Sequence, residues 1–231
     1  MNAPARPATG AAEPASTPKR EETPLRARRR LVIAMAQRRQ RPGTGSLVAE
    51  LMEGGPRVRW PDLSEVLGDL PWAVVGAVAT RHYMPERSTR NLHVGVPAAD
   101  APEVRRRLTA AGWAYLGELS IPGSNWRAPT GESVDVLEGG EPWWDAALAA
   151  AQGNRDQHGL PILPLPYLVL SKLLSGRTQD IADITRTLGL ADEAALSAVR
   201  EIIATHAPAD LEDLEALISL GQLEMGTEHQ Q

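Results

Sequence analysis

A chain of 231 residues holds one substantial domain or one domain with a small appendage, and 42% hydrophobic with 23% charged residues is the composition of a soluble globular protein. The absence of Cys excludes a disulfide framework, a thiolate metal site and a thiol nucleophile, and six Trp with no Phe leave Leu, Val, Ile and Ala to build the core. The formal charge of −5 is unevenly divided: residues 1–41 hold 10 Lys and Arg against 3 Asp and Glu, residues 42–231 hold 14 against 26, and a basic arm therefore precedes an acidic body.

Residues 1–41 are expected as a disordered tail, because the Ala-, Pro- and Thr-rich stretch to Thr23 has too few large apolar side chains to offset its ordering entropy. Its end, Arg26–Arg41, carries seven Arg around a short apolar stretch. Two readings stand for it: a charge-flanked helix drawn to phosphate backbones, or a solvated tail whose Leu31–Met35 stretch docks on the body. A linker at Pro42–Gly45 precedes an α/β core over 46–140, with helices from Ser46 to Gly54 and from Pro61 to Leu70. Trp72-Ala-Val-Val-Gly-Ala reads as a buried strand broken by Gly76, with a helix leaving it from Ala77 to Tyr83. Asn91–Val96 alternates, so that Leu92, Val94 and Val96 face one way and Asn91 and His93 the other. Asp100 supplies a capping carboxylate to a helix striped by Val104, Leu108 and Ala111 and stopped at Gly112.

Trp113–Ser120 and Asn125–Ala128 read as hairpin arms turned at Pro122-Gly123, and Ser133–Leu137 as a strand with Asp135 opposite Val134 and Val136. From 141 to 222 the pattern is helical, in segments Trp143–Gln152, Tyr167–Leu174, Asp180–Leu188, Glu193–His206 and Leu211–Leu220, before a disordered 223–231 tail. No apolar run approaches the roughly 20 residues of a membrane span and no secretory core is visible, which gives the expectation of a cytoplasmic protein with no membrane partner.

Polar residues at the ends of neighbouring strands beside a glycine turn are how α/β proteins assemble sites, and Gly76, Asn91, His93 and Asp135 have that pattern. Each also has a plain structural reading: a strand-ending glycine, solvent-facing positions of an edge strand, and a capping or ion-pairing aspartate.

The order of the segments resembles the nucleotidyltransferase-fold superfamily, most closely the branch containing the toxins of abortive-infection, type IV toxin–antitoxin systems. The resemblance rests on W-A-V-V-G-A-V-A-T-R-H (Trp72–His82), R-S-T-R-N-L-H-V (Arg87–Val94), G-W-A-Y-L (Gly112–Leu116), S-V-D-V-L (Ser133–Leu137) and the Leu165–Ile184 segment with its Lys, Arg and paired Asp. It implies an α/β (α+β) fold, a small mixed sheet flanked by helices, with a helical C-terminal half closing a nucleotide cleft. It also implies three carboxylates holding two divalent ions, Mg²⁺ or Mn²⁺, and a nucleoside triphosphate as ligand. Gly76 and Ala77 would then approach the phosphates, and Arg87, Arg90, Lys172 and Arg177 would contact the nucleotide. A nucleotide or RNA and an antitoxin-like protein are the implied partners.

The two family aspartates correspond to Asn91 and His93, and of the three expected ligands only Asp135 remains. At about 4 Å and an effective dielectric of 20 one unit charge is worth roughly 4 kcal/mol, so losing two weakens any hold on paired dications severely. The expected function is a nucleotidyltransferase-like protein with a degenerate metal site and little or no transfer, in which Asp135, His93 and Asn91 occupy the catalytic positions and Asp135 and His93 are the remaining metal ligands. One alternative is an active transferase using Asp135, His93 and a carboxylate from Glu86 or Glu132; another is a nucleic-acid adaptor acting through Arg26–Arg41. Lys172 reads equally as a snorkelling side chain, Asp180 and Asp183 as capping and salt-bridging partners of Arg177 and Arg186, and Trp143-Trp144 as a packed corner rather than a stacking surface.

Overall fold

The computed structural model describes residues 23–39, 60–84 and 91–226. The expected helix starting at Ser46, and Glu86, Arg87, Arg90 and the 227–231 end, lie outside the described residues.

Five strands form one mixed sheet: β1 (Ala73–Val75), β2 (Leu92–Pro97), β3 (Ala114–Glu118), β4 (Gly123–Arg127) and β5 (Ser133–Gly139), in the order β1-β2-β5-β4-β3. The central β2–β5 pair is parallel and every other pairing is antiparallel. Nine α-helices surround it among the described residues: α1 (Pro24–Arg39), α2 (Ser64–Leu67), α3 (Gly76–Tyr83), α4 (Ala101–Ala110), α5 (Trp144–Ala151), α6 (Leu165–Ser175), α7 (Thr178–Leu190), α8 (Glu193–His206) and α9 (Leu211–Met225). This is the mixed α+β architecture with a helical C-terminal half that the sequence leads one to expect.

Residues paired across a sheet share a face. Leu92, Val94 and Val96 therefore lie with Val134, Val136 and Trp126 on one face, all of them buried. Helix α4 lies over that face, its Arg105 reaching Glu118 and Glu138. The opposite face carries Val75, His93, Gly95, Asp135, Leu137, Asn125, Arg127 and Ser133. At one end of it the Trp144 indole lies over Gly95 and Gly139, where any Cβ would collide with the ring, and Trp144 Nε1 donates to the Val96 carbonyl at 3.0 Å. Trp143 is buried beside it, stacked on Tyr167, so the tandem tryptophans are a packed corner.

Several local expectations change. The Pro61–Leu70 helix shrinks to the four residues of α2. Asp100 makes no side-chain cap, because a 3₁₀ turn at Ala98–Asp100 runs directly into α4. The hairpin forms as read, with an irregularity between Tyr115 and Gly117 that interrupts pairing on the sheet edge.

The largest departure is at the amino terminus. Where the sequence suggests a disordered arm, residues 24–39 form α1 and dock on the C-terminal helices. Arg29 is 1% exposed; its Nε donates to Asp213 Oδ2 at 2.6 Å, its Nη1 to the Leu173 carbonyl at 2.8 Å and its Nη2 to Asp210. Arg26 joins Asp210, and Arg30 joins Asp213 and Glu212. Ile33 enters the core, and Leu25 covers Gly176. Apolar counting misses this helix because its anchor is an ion triad: with only Arg29 and Ile33 buried, α1 is fixed by charge matching to an acidic surface.

Removing one partner of such a buried set leaves an uncompensated charge. Arg29→Met is expected to destabilise the full chain by about 3–5 kcal/mol in urea denaturation, against under about 1 kcal/mol for the exposed Arg28→Ala; equal effects of the two would show that α1 is not anchored at Arg29.

Candidate functional site

The polar face of the sheet is organised by the register of its two parallel strands. His93 and Asp135 are directly paired, so a β-strand period of two delivers both side chains to one face side by side. His93 Nε2 lies 3.1 Å from Asp135 Oδ2, with the side chains 28% and 14% exposed. The other carboxylate oxygen, Oδ1, accepts from Asn125 Nδ2 on β4, and that same amide reaches Ser133 Oγ at 3.1 Å. Asp135 is thus held from both sides by its strand neighbours.

Gly76 sets the opposite wall. It ends β1 and opens α3 with φ +61°, and a Cβ there would stand 2.8 Å from His93 Nδ1. Only glycine combines the left-handed backbone with this approach of chain to imidazole. Ala77 follows as the second residue of α3. Asn91, at the exposed entry to β2, is two residues before His93 and so continues the same face.

A second cluster comes from α6 and α7. Lys172 is 6% exposed and its Nζ donates to Asp180 Oδ1 at 3.0 Å and Asp183 Oδ2 at 2.7 Å. Asp180 also accepts from Arg177 Nε at 2.7 Å and from Ser175, while Gln179 serves Asp183. The Arg177 side chain remains 70% exposed. Two expectations are corrected here. Lys172 does not snorkel: its ammonium is the internal counter-ion of both aspartates. Arg186 is not their partner, since it pairs with Glu224 at 3.3 Å.

Electrostatics connect the two clusters. Burial holds the His93 imidazole below its ordinary 6.5; the Asp135 carboxylate opposes that, and Arg177 and Lys172 reinforce it. His93 is therefore neutral at pH 7, with Nε2–H directed at Asp135 as the natural tautomer. Burial raises the pKa of Asp180, but Arg177, Ser175 and Lys172 more than compensate and hold it below its usual range.

The donor chemistry does not fit the pair of divalent ions that the family resemblance implies. Mg²⁺ requires several oxygen ligands carrying negative charge. Asp135 has both oxygens engaged by nitrogen donors, and the charges of Asp180 and Asp183 are offset by Lys172 and Arg177 together. Glu132 lies just before β5, and its Oε2 is buried with no hydrogen-bond partner among the described residues. Among the described residues no three of His, Asp and Glu gather where they could hold a metal ion.

Sequence reasoning missed Asn125, Ser133 and Arg127. All three share the face of Asp135, and the alternation of Ser124-Asn-Trp-Arg127 around the buried Trp126 was the available signal. Arg127 is exposed and has no hydrogen-bond or ion-pair partner among the described residues. His82, His158 and His206 stand apart from the site, and no helix among the described residues is long and apolar enough to cross a membrane.

No family model matches the chain, and no curated protein does. Among solved structures it is similar to the solution structure of the antibiotic-resistance factor ANT(2'')-Ia, with 15% identity, 68% of this chain and 87% of that one covered, and a TM-score of 0.38. It is also similar to the crystal structure of ANT(2'')-Ia in complex with adenylyl-2''-tobramycin, with 11% identity, 68% and 92% covered, and a TM-score of 0.37.

The depressed His93 pKa sets a sign. Between its folded value and 6.5 the unfolded chain binds the extra proton, so stability falls as the pH drops through that window. The unfolding free energy of the protein, followed from about pH 7 to about pH 5, is expected to decline more steeply than that of His93→Gln; parallel curves would mean that His93 is not held neutral by the fold.

Proposed function

We propose that this chain is a nucleotidyltransferase-like protein whose cleft binds a nucleotide through its phosphates and which transfers nucleotidyl groups weakly or not at all. The order of motifs around Gly76, His93 and Asp135 supports the ancestry, and the mixed sheet flanked by helices agrees with it. Membership of the toxin–antitoxin branch, and with it an antitoxin-like partner, rests on that motif order alone.

One observation carries the loss of transfer: Asp135, the single carboxylate left at the three ligand positions, accepts from His93 Nε2 on one oxygen and Asn125 Nδ2 on the other. A hard cation there would meet a single negative charge already shared with two nitrogen donors, where a pair of divalent ions calls for several anionic oxygens. His93 offers nitrogen in place of a second carboxylate, which suits Zn²⁺ or Ni²⁺ better than Mg²⁺. Within this reading Asp135 is a positioning residue: it fixes the imidazole against the Gly76 turn and ties β2 to β5 and β4.

The rival readings lose support on particular residues. An active transferase recruiting Glu132 would need that carboxylate gathered with His93 and Asp135, and among the described residues no three His, Asp or Glu side chains gather to hold a metal ion. An adaptor working through the Arg26–Arg41 arm finds three of its seven Arg, Arg26, Arg29 and Arg30, ion-paired to Asp210, Glu212 and Asp213, while Arg28, Arg38 and Arg39 stay exposed.

The test is nucleotidyl transfer itself. The full chain is incubated with nucleoside triphosphates labelled at the α-phosphate, Mg²⁺ or Mn²⁺, and RNA or protein acceptors. Incorporation no greater than that of Asp135→Ala is expected; robust labelling lost in that variant would establish a working transferase and defeat the proposal.

A further inference from the structure

We infer that the cleft takes its phosphate-bearing ligand without a divalent cation, with Arg127 as a direct phosphate contact. The inference rests on the nucleotide-binding reading above and specifies how the charge of that ligand is met.

Among the described residues, three carboxylates of this region, Asp135, Asp180 and Asp183, are already matched inside the protein. Asp135 accepts from His93 and Asn125. Asp180 accepts from Lys172, Arg177 and Ser175, and Asp183 from Lys172 and Gln179. A metal-bridged triphosphate needs several anionic oxygens converging on the cation; among the described residues no three His, Asp or Glu side chains gather to hold one, and the charges of Asp180 and Asp183 are offset by Lys172 and Arg177. One cationic group of this face, Arg127, stands in the opposite condition. Arg127 pairs in register with Ser133, two residues along β5 from Asp135, and on β4 it is two residues from Asn125. It therefore stands on the same polar face, about 6–7 Å along the strand from the Asp135 row. Its guanidinium is exposed and has no internal acceptor among the described residues, whereas Arg105, Arg106, Arg107 and Arg200 all sit on carboxylates. A planar fork of donors beside the neutral amide of Asn125 and the hydroxyl of Ser133 suits bidentate recognition of phosphate oxygens. Arg177, anchored through Asp180 yet largely exposed, supplies a further cation close enough to act on His93.

Isothermal titration of the full chain with ATP and with GTP, each in EDTA and in excess Mg²⁺ or Mn²⁺, tests this directly. Dissociation constants in EDTA within about twofold of those with metal are expected, and Arg127→Gln is expected to weaken binding about tenfold. Because Arg127 is exposed, the variant's melting temperature and circular dichroism should match those of the parent, which separates a lost contact from a lost fold. Binding that appears only with the metal overturns the inference while leaving the nucleotide-binding reading intact. Metal-free binding indifferent to Arg127→Gln overturns the assignment of that residue. No binding of either nucleotide in any buffer overturns the reading on which the inference rests.

Discussion

The parallel pairing of β2 with β5 is the constraint from which the core and the site both follow. With His93 opposite Asp135, Val94 necessarily falls opposite Val136 and Leu92 opposite Val134. A slip of one residue would carry the apolar side chains to the open face and bury an imidazole and a carboxylate among valines. Correct placement of the polar pair therefore needs no separate specification: the hydrophobic alternation of the two strands enforces it. Asn125 extends the same logic through β4, where Trp126 on the buried face fixes the neighbouring amide on the other.

Charge is handled by internal matching throughout the helical half. Lys172 sits between Asp180 and Asp183, and Arg29 between Asp210 and Asp213, each set almost wholly out of solvent. Desolvating such groups is costly, and their mutual attraction in a low-dielectric surrounding offsets that cost only when geometry and hydrogen bonding are complete. Their directional demands select one arrangement of helices where apolar contacts alone would tolerate several. The acidic excess of the body thereby acquires a role, since part of it is the receptor for the basic amino-terminal helix.

The sheet strands were legible because their alternation is strong: Leu92-His-Val-Gly-Val and Ser133-Val-Asp-Val both declare an apolar face and a polar one. The meeting of His93 and Asp135 could be posed from sequence as a possibility, but register between strands some forty residues apart is a tertiary property. Asn125 escaped notice because a single amide in a hairpin carries no motif; its importance comes from Asp135, on the next strand and adjacent in space. Lys172 was misread because an apolar helix with one lysine looks alike whether the lysine escapes to solvent or meets buried acids from the next helix. For helix α1 the sequence offered a charge-flanked helix as one reading but not its seat: low hydrophobicity signals disorder only when no oppositely charged surface is waiting. Its partners, Asp210 and Asp213, lie some 180 residues away.

One packing detail has a consequence for how this sequence can drift. The Trp144 ring occupies the volume that side chains at positions 95 and 139 would otherwise fill. The three positions therefore form a single steric unit drawn from β2, β5 and the following helix. A mutation to alanine at either glycine becomes tolerable only after the indole has been exchanged for something smaller, whereas a shrunken residue at 144 opens a void that such alanines would help to refill. Divergence at this corner is thus path-dependent: the order in which the substitutions arise decides whether the intermediate chain can fold.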